Sequence, residues 1–498
     1  MKNSLANAST LKELLQGFVV VDKDVSVENI AIDHRQVVRG DLFIARSGVH
    51  HRADEYVISA INAGAVAVLI DIAECHACLK EYAEYIYPVN NLLLVAGEVI
   101  SRFFGSPSRS ISVIGITGTN GKTSCCHFIA QALNLLDEKT AYIGTIGTGF
   151  PEELEPSTHT TPDVLKVHQL LAKYKKAGAK TLVMEVSSHA LDQGRTAGVV
   201  FSQVGFTNLT RDHLDYHENM AAYAATKQRL FEDTSAVQFL NIDDEFGKQL
   251  LTKANQGQRS VLTYSQFNQT ADVYVKNAEF QLDGICFTLT TPWGEISATS
   301  SLIGRFNLSN LLLVTASLGL AGYLAVEISR AIAQVRAVTG RMEKVSYASE
   351  PLVLVDYAHT PDALLQTLSA LNEHRQSGSQ IICVFGCGGD RDQGKRPLMG
   401  QIASGLADQL VITSDNPRTE DPQFIIDQIL EGVRSTSNLH IEIDRSLAIA
   451  VAINMATPTD IVLIAGKGHE DYQEIMGQRY PFSDQDVARK YLDQRSHV

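Results

Sequence analysis

Apolar and polar positions along the chain fall into three successive patterns. In the first, "GDLFIA" (40–45) reads as a short strand, "EYVISAINAGA" (55–65) as a helix and "VAVLID" (66–71) as a buried strand. The segment "FFGSPSRS" (103–110) breaks that pattern with Gly, Pro and Ser and marks a linker. The second pattern opens with "ISVIGITGTNGKTSCCHFIAQAL" (111–133), a strand, a glycine-rich turn and a helix. Apolar strands "TLVMEV" (181–186) and "QVGFTNL" (203–209) follow, alternating with helical periodicity, which predicts a mostly parallel sheet covered by helices. Residues 271–300 alternate with period two, as antiparallel strands do. From 339 onwards, "PLVLVDYA", "QIICVFGCGG", "DQLVITSDN" and "TDIVLIAGKG" are four strand-then-turn units of a second doubly wound domain. Ligands of such sheets sit at the carboxyl ends of strands, where all four units carry polar or glycine-rich turns. The expected fold class is α/β in three domains. These are a small N-terminal α/β domain (1–107), a central P-loop ATPase-like domain with a mostly parallel sheet (108–338), and a C-terminal Rossmann-like α/β domain (339–498).

Composition narrows the picture. A length of 498 residues suits about three domains, and 45% hydrophobic residues suits buried cores. A formal net charge of −14 makes the chain a poor general binder of nucleic acid or anionic membrane, so an anionic ligand must find local positive partners. The longest apolar stretch, "LLLVTASLGLAGYLAV" (311–326), is shorter than the ~20 residues of a spanning helix and reads as one buried helix. The N-terminal "MKNSLANASTLKELLQG" lacks the apolar region of a signal peptide; both features predict a cytoplasmic protein without membrane insertion. Of seven cysteines, Cys75 and Cys78 form a C-x-x-C without a second ligand pair, and are expected as reduced thiols on a helix. Cys383 and Cys387 flank a glycine-rich turn and are expected to pack.

The chemistry gathers at strand ends. "GITGTNGKTS" (115–124) closes with Gly121-Lys122-Thr123 between a strand and a helix, where backbone N–H groups cradle phosphate. Lys122 then reaches the β/γ-phosphates and the Thr123 hydroxyl binds Mg²⁺. The full P-loop pattern asks for glycine where this chain has Ile116, so the loop is a variant in which Gly118 supplies an extra flexible point. "TLVMEVSSHALDQGR" (181–195) ends a strand in Glu185, a carboxylate suited to Mg²⁺. "TNLTRDHLDYHENMAAYAATKQRLF" (207–231) adds Asp212, His213, Asp215 and His217, then Lys227 on an amphipathic helix. "DNPR" (415–418) is too polar for a core and stiffened by Pro417, which presents Asn416 and Arg418 in a fixed relation suited to an anion.

These motifs, with "GRFNLSN" (304–310), "VDYAHTPDAL" (355–364), "FGCGGDRDQGKRPLM" (385–399) and "AGKGHEDYQ" (465–473), run in order over nearly the whole chain. Together they resemble the Mur ligases, and among them the branch that adds diaminopimelate. The resemblance implies ATP-dependent amide synthesis. ATP phosphorylates the γ-carboxylate of UDP-MurNAc-L-Ala-D-Glu, and the amine of meso-diaminopimelate attacks the acyl phosphate. It implies that Gly118, Thr119, Asn120, Gly121, Lys122, Thr123 and Ser124 bind ATP, joined by Asn307, Arg341, Asp356 and His359, with ATP between the second and third domains. Lys122, His213 and Lys227 are the implied catalytic residues. Thr123, Glu185, His213 and Lys227 are the implied Mg²⁺ ligands, Lys227 as a carbamate. His34, His159, Thr160, Thr161, Ser187, Gln193 and Arg195 fall on the muramyl-dipeptide side. Arg391, Asp415, Asn416, Pro417, Arg418, Gly466 and Glu470 fall around diaminopimelate, with Glu470 accepting from its distal ammonium. A monomer acting on small molecules is expected.

The N-terminal part departs from the family pattern. Asp33-His34-Arg35 replaces Asp-Ser-Arg, residues 48–56 lack the usual Asp-Gly pair, and His159 stands where asparagine is common. Histidine donates or accepts as Ser and Asn do. Alternatives are a paralogue with an altered nucleotide sugar, a related ligase adding lysine or glutamate or making cyanophycin, and a nucleotide-binding scaffold with a dead site. "DNPR" favours diaminopimelate, and intact Lys122, Thr123, Glu185, His213 and Lys227 argue against a dead site.

Overall fold

The computed structural model describes residues 5 and 9–495, apart from 48–51, 76, 215, 233–234, 348–349 and 436. Two compact units emerge. One is the chain up to Tyr264 with Ala316–Leu320; the other is Ser265–Thr315 with Ala321 onwards.

Parallel strands buried on both faces require continuous apolar runs, and this chain supplies them. In the first unit, Asn29–Ala31, Asp41–Ala45, Ala67–Asp71 and Ile86–Val89 form a parallel sheet in sequential order. Leu42, Ile44 and Leu69 face one core, Phe43, Val68 and Ile70 the other. A larger sheet has six parallel strands in the order Thr140–Gly144, Thr181–Glu185, Ser112–Thr117, Gln203–Phe206, Val237–Asn241, Val261–Ser265. Antiparallel Gly147–Phe150 and Glu153–Glu155 extend its first edge. Strand Ser112–Thr117 thus lies between Thr181–Glu185 and Gln203–Phe206, and the turn that follows it opens beside Glu185 and Thr207. That is the position at which the strand order reverses and ligands bind.

The second unit begins with an antiparallel meander, Val273–Gln281, Gly284–Thr291 and Gly294–Ser300, as the period-two pattern predicts. Its larger sheet runs Glu343–Lys344, Leu352–Asp356, Ile461–Ala465, Ile381–Phe385, Gln409–Ile412, Leu439–Ile441, parallel except for the first pairing. Alternate residues again serve two cores: Leu352, Leu354, Ile381 and Cys383 on one face, Val353, Val355, Ile382 and Val384 on the other. Buried His374, at the end of helix Pro361–His374, ties the meander to this sheet's helical layer. Its Nε2 accepts from the Gly304 N–H at 2.9 Å, so Nδ1 carries the proton and donates to the Gln281 carbonyl at 2.6 Å. Burial lowers its pKa, which keeps the ring neutral.

The expected single helix over 311–326 is corrected. Helix Arg305–Leu320 ends there, Gly322 takes a left-handed φ of +95°, and a second helix runs Ala325–Gln334. Leu324 and Val326, 66% and 72% exposed, lie outside the buried stretch 311–314, which is all Leu and Val. Cys75 caps a short 3₁₀ turn, Ile72–Glu74, and the side chain of Cys78 lies outside the described residues. Cys383 and Cys387 pack as expected, the latter 3.7 Å from Met399 Sδ.

Arg445 and Asp484 form a fully buried two-pronged pair, Nε–Oδ1 2.7 Å and Nη2–Oδ2 2.8 Å, joining helices Arg445–Met455 and Asp484–Arg495. Removing one partner leaves an unpaired buried charge. Asp484→Asn is expected to cost about 3–5 kcal/mol of stability by urea denaturation; a loss below about 1 kcal/mol would show that the pair is dispensable.

Candidate active site

The turn after Ser112–Thr117 depends on Gly118. Its φ is +149°, and a Cβ there would stand 1.9 Å from Thr207 Oγ1. Gly121, at φ +83°, precedes helix Lys122–Leu135. Hydrogen bonds from Thr119 N to Asn208 O (2.8 Å) and from Asn120 N to Asn208 Oδ1 (2.9 Å) hold the loop to the neighbouring strand's extension. Lys122, with Thr123 and Ser124 in the first turn of the helix, folds its Nζ over the loop carbonyls of Gly118 (2.9 Å) and Thr119 (2.7 Å).

Thr123 and Glu185 meet. Buried Glu185 accepts from Thr123 Oγ1 (2.9 Å), Tyr142 OH (2.6 Å), Thr145 N (2.8 Å) and Thr145 Oγ1 (3.3 Å). This hydroxyl–carboxylate pair is a hard-oxygen donor set of the kind Mg²⁺ takes.

Lys227, on helix Met220–Glu232, is 1% exposed. Its Nζ donates to the same Gly118 carbonyl at 2.8 Å and lies 4.4 Å from the centre of the Tyr223 ring. Burial, and next the charge of Lys122, push its pKa well below the ordinary value, against a smaller pull from Asp212. A neutral amine is the nucleophile that carbon dioxide needs to form a carbamate. His213 sits at φ +53° with its side chain 44% exposed. Its ring lies 5.1 Å from His189 and 6.1 Å from Tyr223. Among the described residues, no three His, Cys, Asp or Glu side chains form a metal cluster. Asp215 lies outside those residues. Buried His217 lies 2.9 Å from Ser188 Oγ and packs on Tyr223.

Of the residues assigned to the muramyl dipeptide, Thr160, Thr161 and Ser187 lie around Glu185 and Thr145, and Arg195 and Gln193 join them through Thr161. Thr161 Oγ1 donates to the Glu185 carbonyl at 2.8 Å, Thr160 Oγ1 lies 3.0 Å from Thr145 Oγ1, and Ser187 caps helix Ser188–Asp192. Arg195 donates to Thr161 O (2.7 Å) and, through Nε and Nη2, to Gln193 Oε1 (3.0 and 2.7 Å). Exposed His159 engages Thr158 Oγ1 at 3.0 Å. Sequence reasoning missed Arg46, which follows strand Asp41–Ala45 and donates to the Gln193 carbonyl at 2.8 Å. Burial lowers the pKa of Arg46; Asp163 opposes that, and nearby Arg195 adds to it. The available signal was a lone arginine at the end of a buried strand. His34 stacks on Tyr56 (4.2 Å, 11°), and Asp33 caps its turn while pairing with Arg35 at 2.8 Å. The departures noted at 48–51 lie outside the described residues.

In the second unit, Asp356 ends its strand and accepts from Met342 N (2.8 Å), Ala358 N (3.0 Å) and Thr367 Oγ1 (3.3 Å). Burial raises its pKa against the pull of Arg341. The Arg341 guanidinium lies 4.6 Å over Tyr357, and His359 bonds Tyr357 O at 2.9 Å. Asn307 is buried, its amide donating to Ile303 O at 2.8 Å. The "DNPR" stretch is stiffened by more than its proline. Arg418 holds a left-handed φ of +51° between Glu474 O (3.0 Å to its N–H) and Met476 N (2.6 Å to its carbonyl). Its Nη1 donates to Gly389 O at 2.8 Å. Exposed Arg391 comes from the same glycine-rich turn. Buried Asp415 packs against Gly466, where a Cβ would stand 2.5 Å from its Oδ2. The Asn416 amide is engaged internally with Glu470, Lys467 and Glu474.

Family models of the Mur ligase middle domain and of the Mur ligase glutamate ligase domain match residues 116–318 and 340–468. The UDP-N-acetylmuramoyl-L-alanyl-D-glutamate–2,6-diaminopimelate ligase of Chromobacterium violaceum is 46% identical over 94% of both chains. The Pseudomonas aeruginosa ligase of the same name is 45% identical over 96% of this chain and 98% of its own. A solved structure of a ligase of that name superposes with a TM-score of 0.79 at 35% identity, covering 99% of this chain and 100% of its own. Mycobacterium tuberculosis folylpolyglutamate synthase, solved with ADP and AMPPCP, shares the fold at 18% identity and a TM-score of 0.61, over 75% of this chain and 92% of its own.

The buried amine of Lys227 has a measurable signature. Its folded-state pKa lies below the unfolded value near 10.5, so the unfolded chain takes up the proton first and stability rises with pH through the window below 10.5. In carbon-dioxide-free buffer, Lys227→Met is expected to flatten that rise in thermal denaturation measured from pH 7 to 10. Equal pH dependence in both proteins would contradict a lowered Lys227 pKa.

Proposed function

On the premise that this chain belongs to the Mur ligase family, we propose that it joins meso-diaminopimelate to UDP-MurNAc-L-Ala-D-Glu at the expense of ATP. The observation that carries the reading is the buried Lys227 amine sharing the Gly118 carbonyl with Lys122, beside the Thr123–Glu185 pair, with burial lowering its pKa. The D-glutamyl γ-carboxylate attacks the γ-phosphorus of ATP, the bond to the bridging oxygen breaks, and ADP leaves. An amine of diaminopimelate then attacks the acyl phosphate, the C–N bond forms, phosphate leaves and the amine gives up a proton.

Each step needs alignment and charge compensation more than covalent help from the protein. Gly118 to Ser124 cradle the phosphates, with Lys122 released from the loop carbonyls to a phosphate oxygen. Thr123, Glu185, His213 and the Lys227 carbamate would hold Mg²⁺, which when bound neutralises phosphate charge. Thr160, Thr161, Ser187, Gln193 and Arg195 receive the muramyl dipeptide; Arg46, adjoining Gln193 and Arg195, adds a second guanidinium for its anionic groups. By the same resemblance, Asn307, Arg341, Asp356 and His359 are assigned to the nucleotide. Arg391, Asp415 to Arg418, Gly466 and Glu470 receive the amino acid, with Arg418 on its distal carboxylate. The division into domains 1–107, 108–338 and 339–498 follows these three binding tasks. No helix of the described residues is long and apolar enough to cross a membrane. The proposed setting is the cytoplasm.

The test offers ATP, Mg²⁺ and UDP-MurNAc-L-Ala-D-Glu with either meso-diaminopimelate or L-lysine. Phosphate release and a tripeptide product are expected only with diaminopimelate; a product only with lysine would overturn the acceptor assignment. An ammonium cannot reproduce the two parallel N–H bonds of a guanidinium. Arg418→Lys is therefore expected to raise KM for diaminopimelate about 10-fold or more, as loss of one charge-assisted hydrogen bond does. An unchanged KM and kcat would refute that role.

A further inference from the structure

Lys467 lies in the turn after strand Ile461–Ala465, between Gly466 at φ +120° and Gly468 at φ +54°. Its side chain is wholly buried, and that burial has a specific outlet. The ammonium donates to Asn416 Oδ1 at 3.1 Å and to Glu470 Oε2 at 3.2 Å. Asn416 closes the ring, its Nδ2 donating to the same Glu470 Oε2 at 2.8 Å.

Two consequences follow from donor and acceptor counting. The Asn416 oxygen also accepts from Glu474 N at 2.9 Å, so both its partners are donors and the amide has one orientation only. Flipping it would set NH₂ against an ammonium and an N–H. Glu470 Oε2 takes two donors, while Oε1 accepts from none of the described residues. The carboxylate, 22% exposed, therefore presents a single uncommitted oxygen. Without the ammonium, Glu470 would keep only the Asn416 amide, and that amide would lose one of the two donors that fix its orientation.

We propose that Lys467 is the positioning residue of the amino-acid pocket: it locks Asn416 and Glu470 so that one Glu470 oxygen awaits the ammonium of the incoming amino acid. Lys467 itself does not touch the substrate. The inference rests on the reading of Glu470 as an ammonium acceptor for diaminopimelate.

The test uses the full-length enzyme and Lys467→Met, an uncharged chain of similar reach. Hydroxylamine, which attacks an acyl phosphate without needing the amino-acid pocket, reports the first half-reaction as hydroxamate. KM for diaminopimelate is expected to rise about 10–100-fold, the loss of a charge-assisted hydrogen bond, with hydroxamate formation and KM for ATP unchanged. A purely structural lysine would instead lower hydroxamate formation and diaminopimelate use together, and that result overturns the proposal. So does an unchanged KM in a folded variant. Should Lys467→Met not fold, Lys467→Gln, which keeps a donor without the charge, is read by the same criteria. Parent enzyme that forms hydroxamate but never joins diaminopimelate would instead overturn the underlying reading of the pocket.

Discussion

A carboxylate with no exposed surface, Glu185, is the constraint around which the first unit is arranged. Burying such a group is costly unless its oxygens are satisfied, and here the donors come from separate segments: the P-loop helix through Thr123, strand Thr140–Gly144 through Tyr142, and the turn after it through Thr145. Its own backbone carbonyl takes the hydroxyl of Thr161. One residue therefore binds the phosphate-cradling side to the side assigned to the muramyl dipeptide. Gly144 has no side chain because a Cβ there would come within 2.2 Å of the Glu185 carboxylate.

A second buried charge does comparable work nearby. The Lys227 amine shares the Gly118 carbonyl with Lys122, and burial, then the charge of Lys122, lowers the pKa of Lys227. Neutrality makes a buried lysine reactive towards an electrophile such as carbon dioxide. In the second unit the charges are compensated instead: Lys467 against Glu470, Arg445 against Asp484, Arg396 against Glu420. Each pair fixes a turn at the carboxyl end of the sheet or a helix behind it, so the pocket's geometry is built from ion pairs that no ligand needs to supply.

Much of the architecture was legible because a strand buried on both faces must be written in consecutive Ile, Val and Leu, and a phosphate loop in glycines before Lys-Thr. The strands ending at Thr117, Glu185, Asp356 and Phe385 and the meander over 273–300 follow from that. The stretch 311–326 misled because apolar composition alone does not reveal that Gly322 turns the chain out of the helix. Arg46 escaped notice because its one local mark, an arginine after a buried strand, does not name its neighbour Gln193, 147 positions away. His213, which the motif singled out, holds its ring half-exposed 5.1 Å from that of His189.

By itself the sequence determined the order of strands and helices, the phosphate loop, the family and the residues at strand ends, since periodicity, glycine placement and motif order are local properties of the chain. Tertiary structure alone decided which of those residues meet and which are buried. The rigidity of 415–418 comes less from Pro417 than from backbone bonds to Glu474 and Met476, and the Asn416 amide serves Glu470 before any ligand. Hydrogen-bond partners and burial depend on segments distant in sequence, and only folding brings these together.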